Sequence, residues 1–221
     1  MKKVGWTLGL ALLILNPGFT NPSMAQNLSL EFMTGSAYNL PSFLIVRQAN
    51  QPDLTFSPHY DTNPFSGHAP YYAWRVSLWN GEESWEFEHL HHKLYLRDNP
   101  PEITDFAISH GYNYILLGHA WKRHGFLFHL DLGPIMTHPE AAVRGQTLDS
   151  EHGGLLNEGY YFSGIGFHTA IGKNIFISDN FYAILELAFT AGWTWDVPMP
   201  GGTADVPNTA IHGHLGMGLN L

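Results

Sequence analysis

Histidine is the residue type in this sequence whose number and spacing point most directly to chemistry. The chain contains 14 histidines and no cysteine, so imidazole and carboxylate groups are its candidate metal ligands and catalytic groups. His89 and His91 lie two positions apart on a predicted strand, and so do His212 and His214. Side chains with this spacing share one strand face and can bind zinc together. Neither pair has a carboxylate four or five residues downstream, and the sequence therefore predicts no metal site and no cofactor.

A second arrangement of residues has the chemistry of acyl transfer. Ser109 directly precedes His110, and symmetrical pairing around a loop at 97–103 would place Ser109 opposite His91. A serine, a histidine and a carboxylate such as Glu88 are the groups that a nucleophilic acyl-transfer site uses. The candidate catalytic residues are therefore Ser109, His110, His91 and Glu88. The alternative interpretation is that these are interfacial strand residues with no part in catalysis.

Long strands with alternating polarity must position these groups. Leu185, Leu187 and Phe189 fall on one face of a predicted strand, whereas Glu186 and Thr190 fall on the other. Strict alternation of this kind indicates a strand. Ordinary strands have about 5–6 residues, and strands that cross a membrane need about 9–11. The length of the alternating segments favours membrane-crossing strands.

The same pattern along the whole chain predicts ten antiparallel strands. We expect them near 28–38, 42–49, 53–60, 70–79, 84–96, 104–118, 126–136, 159–171, 181–195 and 208–221. Pro52 and Pro58 interrupt the second and third of these, so eight strands is the alternative count. An even number of strands brings both ends of a closed barrel to one side.

The lengths of the links between strands indicate which side is which. Links at 50–52, 80–83, 122–125 and 172–180 fall on the side of the chain ends, and three of these four are short. Links at 61–69, 97–103, 137–158 and 196–207 are longer, rich in Pro, Gly and Asn, and fall on the other side. The link near Leu40-Pro41 is an exception, because it is short but falls on the other side. Short periplasmic turns and long outer loops are typical of bacterial outer-membrane barrels.

Hairpin pairing around 80–83 predicts a polar interior. It places Arg75 opposite Glu88 and Ser77 opposite Glu86, whereas the apolar residues fall on the other face. A polar inside and an apolar outside invert the arrangement of a soluble protein and predict an all-β, closed antiparallel transmembrane β-barrel. The predicted lumen network consists of Glu31, Arg75, Glu86, Glu88, His129, Asp131, His168, Glu186, His212 and His214.

The N-terminal residues have the pattern of a signal peptide. Lys2 and Lys3 precede an apolar run at 4–15, and Ser23 and Ala25 supply the small residues of a cleavage site. We therefore expect a signal peptide at 1–25 and a single barrel domain at 26–221. The formal net charge is -9, which provides no basic surface for a nucleic acid.

Together these features resemble the small outer-membrane β-barrel proteins of Gram-negative-type bacteria. The resemblance rests on the signal peptide, the long alternating strands and a last strand with hydrophobic residues at every second position through Leu221. It implies export to the cell outer membrane, contact with outer-membrane lipid, and the barrel-assembly machinery as a partner during biogenesis. It implies nothing about oligomeric state.

The leading prediction for function is an integral outer-membrane barrel with a filled polar lumen and a structural or lipid-interacting role. One alternative is an outer-membrane lipid-modifying acyl hydrolase, because the Ser109-His110 site is similar in kind to that of lipid A deacylase-type barrels. Their His-x-Ser-Asn arrangement is absent from this chain, where 109–113 reads Ser-His-Gly-Tyr-Asn. The other alternative is a soluble secreted β-barrel that binds a ligand.

Overall fold

Eight long strands form the body of the protein. The computed structural model describes residues 27–65 and 69–221, so the predicted signal peptide at 1–25 lies outside the described residues. The strands are β1 (Asn27–Asn39), β2 (Tyr72–Asn80), β3 (Glu83–Leu96), β4 (Ile103–Arg123), β5 (Phe126–Thr137), β6 (Tyr161–Phe176), β7 (Phe181–Thr194) and β8 (Asn208–Asn220).

The eight strands close into an antiparallel barrel. Each strand pairs with its neighbours in sequence, and β1 pairs with β8, for example through Glu31 and Gly218. The predicted register of the β2–β3 hairpin is present, with Arg75 opposite Glu88 and Ser77 opposite Glu86. Closure leaves the long strands without a free edge, which satisfies their backbone hydrogen-bonding groups inside the sheet. The predicted fold class is confirmed.

The preferred count of ten strands is wrong, and the alternative count of eight is the one that the structure has. The region predicted as strands 42–49 and 53–60 forms Leu44–Gln48 and Leu54–Phe56, which join a separate sheet. Leu44–Gln48 pairs with Gly202–Asp205, which is about 150 residues away in sequence. Pairing with this distant segment takes the region out of the barrel wall.

The side chains of the barrel are distributed inside out. Along β7, Tyr182 and Glu186 are buried in the lumen, whereas Leu185 and Leu187 point outward with more than half of their surface exposed. Large apolar residues are exposed in the same way on all eight strands, and they form an apolar belt around the barrel. Such a belt is stable against lipid, whereas a soluble barrel would bury these residues.

The described residues contain no helix with the length and apolar character needed to cross a membrane.

Short turns lie on the side of the chain ends, and long segments lie on the other side, as predicted. The predicted position of the link at 50–52 is wrong, because this link joins Leu44–Gln48 to Leu54–Phe56 at the outer end. Links 81–82, 124–125 and 177–180 join strands on the terminal side. In the second of these, His124 and Gly125 both have positive φ, as the two central residues of a type I′ hairpin turn require. The described parts of 40–71, which are 40–65 and 69–71, form the opposite, outer end together with 97–102, 138–160 and 195–207.

The outer end carries a second layer of structure. Val197–Met199 and Gly202–Asp205 complete the four-stranded sheet with Leu44–Gln48 and Leu54–Phe56. Arg47 donates hydrogen bonds of 2.8 and 2.6 Å to Asp205 in this sheet, and these lower the pKa of the carboxyl.

The parts of β3 and β4 nearest the outer end also pair with short strands. Tyr60–Asp61 pairs with β3, whereas Glu140–Val143 pairs with β4 and with Gln146–Thr147. Leu44, Phe106 and Val143 belong to an apolar cluster that is buried among these outer elements. The hydrophobic core of the protein therefore extends to its outer end, above the polar lumen.

The orientation predicts which end faces the cell exterior. An epitope tag inserted between Glu151 and His152, which are exposed in the outer segment 138–160, should be reached by antibody on intact cells. The same tag between Asp179 and Asn180, in a terminal-side turn, should be reached only after lysis. Flow cytometry of intact and permeabilised cells measures both. The opposite pattern would reverse the orientation of the barrel.

Candidate functional site

Arg75 stands at the centre of the lumen, where it contacts the carboxylates of several surrounding strands. Its guanidinium donates hydrogen bonds of 2.7, 2.9 and 3.0 Å to Glu88, Glu31 and Glu186. The carboxylate of Glu86 lies 3.9 Å from its Nε. All five side chains are buried. One cation therefore links four acidic residues that lie on β1, β3 and β7.

Histidines connect the same acidic residues to the rest of the lumen. His129 Nδ1 lies 2.9 Å from Glu86, and His214 Nδ1 lies 2.9 Å from Glu186. His168 Nδ1 lies 2.8 Å from Asp131. Buried charges need such partners, because an unpaired buried charge is strongly destabilising. The result is a continuous polar network that fills this level of the barrel.

Two tyrosines extend the network beyond the residues predicted from the sequence. Tyr182 donates a 2.9 Å hydrogen bond to Glu31. The Tyr71 hydroxyl lies 2.7 Å from His212 and 2.6 Å from His214. All ten residues of the predicted lumen network are buried in the structure. Tyr71 has the same parity as Arg75 along the chain, and this alternation was the available signal for its inward position.

The structure separates the four residues of the predicted catalytic set. His91 pairs with Asn113 instead of Ser109. It lies on the opposite face of β3 from Glu88, and its ring stacks on Tyr72 with a centroid distance of 4.9 Å. The assumed register is wrong for two reasons. The turn is centred one residue later than expected, and the pairing shifts between positions 92 and 94.

Glu88 also lies far from the predicted serine. It pairs with Leu116, which is seven residues along β4 from Ser109 and therefore roughly 23 Å away along the strand. Its carboxylate is bound to Arg75 in the lumen network. Glu88 is therefore not the acidic partner of Ser109 or His110.

Ser109 and His110 instead meet a carboxylate from the outer segment 138–160. His110 Nδ1 lies 2.9 Å from Glu140 Oε1 and 3.2 Å from Ser109 Oγ, and Ser109 also donates a hydrogen bond to Glu140. The ring of His138 lies beside that of His110, with centroids 4.8 Å apart. We call Ser109, His110, His138 and Glu140 the outer cluster.

The geometry of the outer cluster differs from that of a hydrolytic triad. A triad places the hydroxyl and the carboxylate on opposite nitrogens of the histidine, so that the ring can pass a proton between them. In the outer cluster both oxygens contact the same nitrogen of His110. Burial lowers the pKa of His138, and the neighbouring His110 lowers it further. This favours the neutral imidazole, which has a free lone pair.

A groove lies on the outward face of the barrel wall near its outer end. It has a volume of about 360 Å³ and follows β6 and β7 beneath residues 41–43. Ile165, Ala191 and Trp193 line it, and the ring of Phe43 contacts Trp193 edge-on with a centroid distance of 5.7 Å. We call this feature the wall groove. It is continuous with the apolar belt.

Comparisons with known proteins give similarities of fold. No protein-family model matches the chain, and no curated protein matches it in sequence. The outer membrane protein OprG of Pseudomonas aeruginosa is 9% identical, with 90% of this chain and 97% of that chain covered and a TM-score of 0.45. Ail, the attachment invasion locus protein of Yersinia pestis, is 11% identical, with 90% and 100% covered and a TM-score of 0.43. The outer membrane protease OmpT of Escherichia coli is 10% identical, with 90% and 99% covered and a TM-score of 0.41.

Similarities at this level carry no information about activity. The class of the protein follows from its own architecture, which is a closed barrel with charges inside and an apolar belt outside. This is the fold of small bacterial outer-membrane β-barrel proteins, as predicted, and the predicted location in the outer membrane agrees with it.

The acidic member of the outer cluster was missed in the sequence. Glu140 lies in a segment expected to be an exposed loop, about 30 residues after Ser109 in the chain. It reaches the cluster because Glu140–Val143 folds back and pairs with β4, so that Glu140 lies opposite Ala107. The close spacing of His138 and Glu140 was the available signal for this part of the site.

Proposed function

We propose that this protein is a non-conducting outer-membrane barrel that binds an acyl chain of outer-leaflet lipid in the wall groove. The observation that carries the proposal is the groove itself, an apolar depression on the lipid-facing surface. Its lining includes Ile165, Phe167 and Trp193. An acyl chain is the apolar ligand that a bilayer supplies to such a surface.

The shape of the wall groove favours a specific ligand over general lipid contact. On the outward face of the wall, Ala191 of β7 carries only a methyl group, whereas the next outward pair, Ile165 and Trp193, is large, so the surface is low at Ala191. The aromatic rings of Phe43 and Trp193 also line the groove and contact each other. Its volume lies at the lower end of the roughly 300–1,000 Å³ that is typical of ligand pockets.

The interior of the barrel supports a role other than transport through the lumen. The side chains of Arg75 and its carboxylate partners extend into the lumen from several strands, bind one another and are buried from solvent. The apolar cluster at the outer end lies above them. A role on the outer surface of the barrel wall is consistent with an interior that is occupied by side chains.

Filling the groove should weaken lipid binding. Ala191→Leu places a larger side chain in the groove, and displacing even one methylene of the ligand, worth about 0.8 kcal/mol, corresponds to about a fourfold loss of affinity. Ala183→Leu is the matched control, because Ala183 also points outward on β7 but lies outside the groove. The measurement uses liposomes that contain phosphatidylethanolamine with a diazirine at the end of one acyl chain.

Mass spectrometry of the irradiated protein locates the adducts. We expect adducts enriched on peptides that contain 41–43 and 191–193, reduced by Ala191→Leu and unchanged by Ala183→Leu. Adducts spread evenly around the belt, or equal effects of the two substitutions, would reject specific binding in the groove.

A further inference from the structure

The outer cluster brings three metal-binding side chains to one point outside the barrel lumen. His110 comes from β4, His138 directly follows β5, and Glu140 begins the short strand Glu140–Val143. One ligand atom from each of these residues lies within 4.8 Å of the other two. The wall groove lies elsewhere on the barrel, so an inference about this cluster is independent of lipid binding.

The residues packed around His138 hold its imidazole in place within the outer cluster. Its side chain is only 5% exposed, and its Nδ1 atom is buried without a hydrogen bond among the described residues. The ring packs against Tyr160 with centroids 4.8 Å apart. A Cβ at Gly159, which has a φ of +71°, would lie 2.8 Å from His138 Nε2. The backbone at Gly159 therefore makes room for the imidazole.

The polar atoms of the cluster converge instead of forming a chain. Glu140 Oε1 contacts both Ser109 Oγ and His110 Nδ1. A proton relay would need these groups in sequence, whereas a coordination shell needs them around a common centre. Two histidines with one carboxylate form a ligand set of known zinc sites that keep a position open for water or substrate.

We propose that His110, His138 and Glu140 bind a divalent transition-metal ion, and that zinc is the ion their chemistry favours. Neutral imidazole nitrogen and carboxylate oxygen are both zinc ligands, with expected bond lengths of about 2.0–2.2 Å. Ser109 positions the carboxylate through its hydrogen bond to Glu140. The side chains of His110 and Glu140 are about one third exposed, so the ion is accessible from the outer end of the protein.

A second group of potential ligands lies in the lumen and fits a metal ion less well. Glu88, Asp131 and His168 also bring ligand atoms within 4.8 Å of one another. However, Arg75 lies 2.6 Å from Glu88, and the guanidinium would repel a metal cation placed beside it. Asp131 is already engaged by His168. In the outer cluster, by contrast, the carboxylate of Glu140 contacts a hydroxyl and an imidazole.

Zinc binding to the purified full-length barrel in detergent tests the proposal. Isothermal titration with zinc chloride should give one ion per chain. Glu140→Gln and His138→Ala should each weaken binding by at least about tenfold, the lower end of the loss seen when even an outer-shell partner of a metal ligand is removed. His152→Ala is the matched control, because His152 is an exposed histidine of the same segment that pairs with Asp149. It should leave the affinity unchanged.

Two further measurements keep the result decisive. Heat-modifiable gel migration identifies variants that are folded, and Glu140→Gln, which preserves shape, serves as the test if His138→Ala does not fold. Cobalt substitution of the unaltered protein should give visible absorption bands that Glu140→Gln abolishes. Absence of stoichiometric binding, equal affinity in Glu140→Gln and the unaltered protein, or a loss caused instead by Asp131→Asn would overturn the proposal.

Discussion

Arg75→Leu is expected to destabilise the barrel by about 3–5 kcal/mol, because it leaves buried carboxylates without their cation. Three carboxylates, of Glu31, Glu88 and Glu186, lose a direct hydrogen bond in this variant. Glu88→Leu is expected to cost less, since Arg75 keeps the other two partners. Denaturant titration in lipid vesicles, followed by tryptophan fluorescence, measures the free energy of unfolding.

The double variant tests whether these residues act together. Combining Arg75→Leu with Glu88→Leu should cost less than the sum of the two single changes, with a difference well above the roughly 0.5 kcal/mol expected for independent sites. Arg47→Leu is a control at a partly exposed pair, since Arg47 binds Asp205 at the outer end, and its effect should be smaller than that of Arg75→Leu. Small and additive effects at Arg75 and Glu88 would contradict the buried network.

The second large effect is expected on the outer face. Leu187→Arg places a charge in the middle of β7, where the leucine is 57% exposed in the apolar belt, and should cost about 2–4 kcal/mol near the bilayer midplane. Leu156→Arg is the matched control, because Leu156 is 85% exposed but lies in the outer segment 138–160. The same unfolding titration compares the two variants.

Leu156→Arg should have little effect, since its position lies beyond the barrel strands and faces water. If both substitutions reduced stability equally, the belt around Leu187 would not be in contact with lipid. If neither substitution had an effect, the outward apolar residues would be facing solvent and not lipid, and the protein would not be a membrane barrel.

The barrel could be predicted from sequence because the features that determine it, strand alternation and tight turns, involve residues close together in the chain. Alternation along each strand assigns an inside and an outside, and the tight turn after Asn80 fixes the pairing of Arg75 with Glu88. Both features depend on residues that are close together in the chain. The polar lumen follows from the same two features without any knowledge of distant contacts.

The outer end could not be predicted because its pairings are distant or irregular. The segment at 44–48 alternates like a barrel strand, and only its partner near 202–205 reveals that it belongs to another sheet. The shift in pairing after His92 displaces the β3–β4 register by two residues, which no turn signal encodes. Glu140 reaches Ser109 through such a pairing, so Ser109 and His110 could be predicted from the sequence but their acidic partner could not.

The pairing of β1 with β8 makes the barrel an all-or-none structure. The first and last strands are neighbours in the wall, for example at Ser29 and Asn220, so the ring closes only when the final strand is in place. A chain that stopped before β8 would carry two open sheet edges, whose bare amide and carbonyl groups hydrocarbon cannot solvate. Intermediates with fewer strands therefore gain little from entering the bilayer. Insertion and completion of the wall are therefore expected to be one cooperative event that depends on β8.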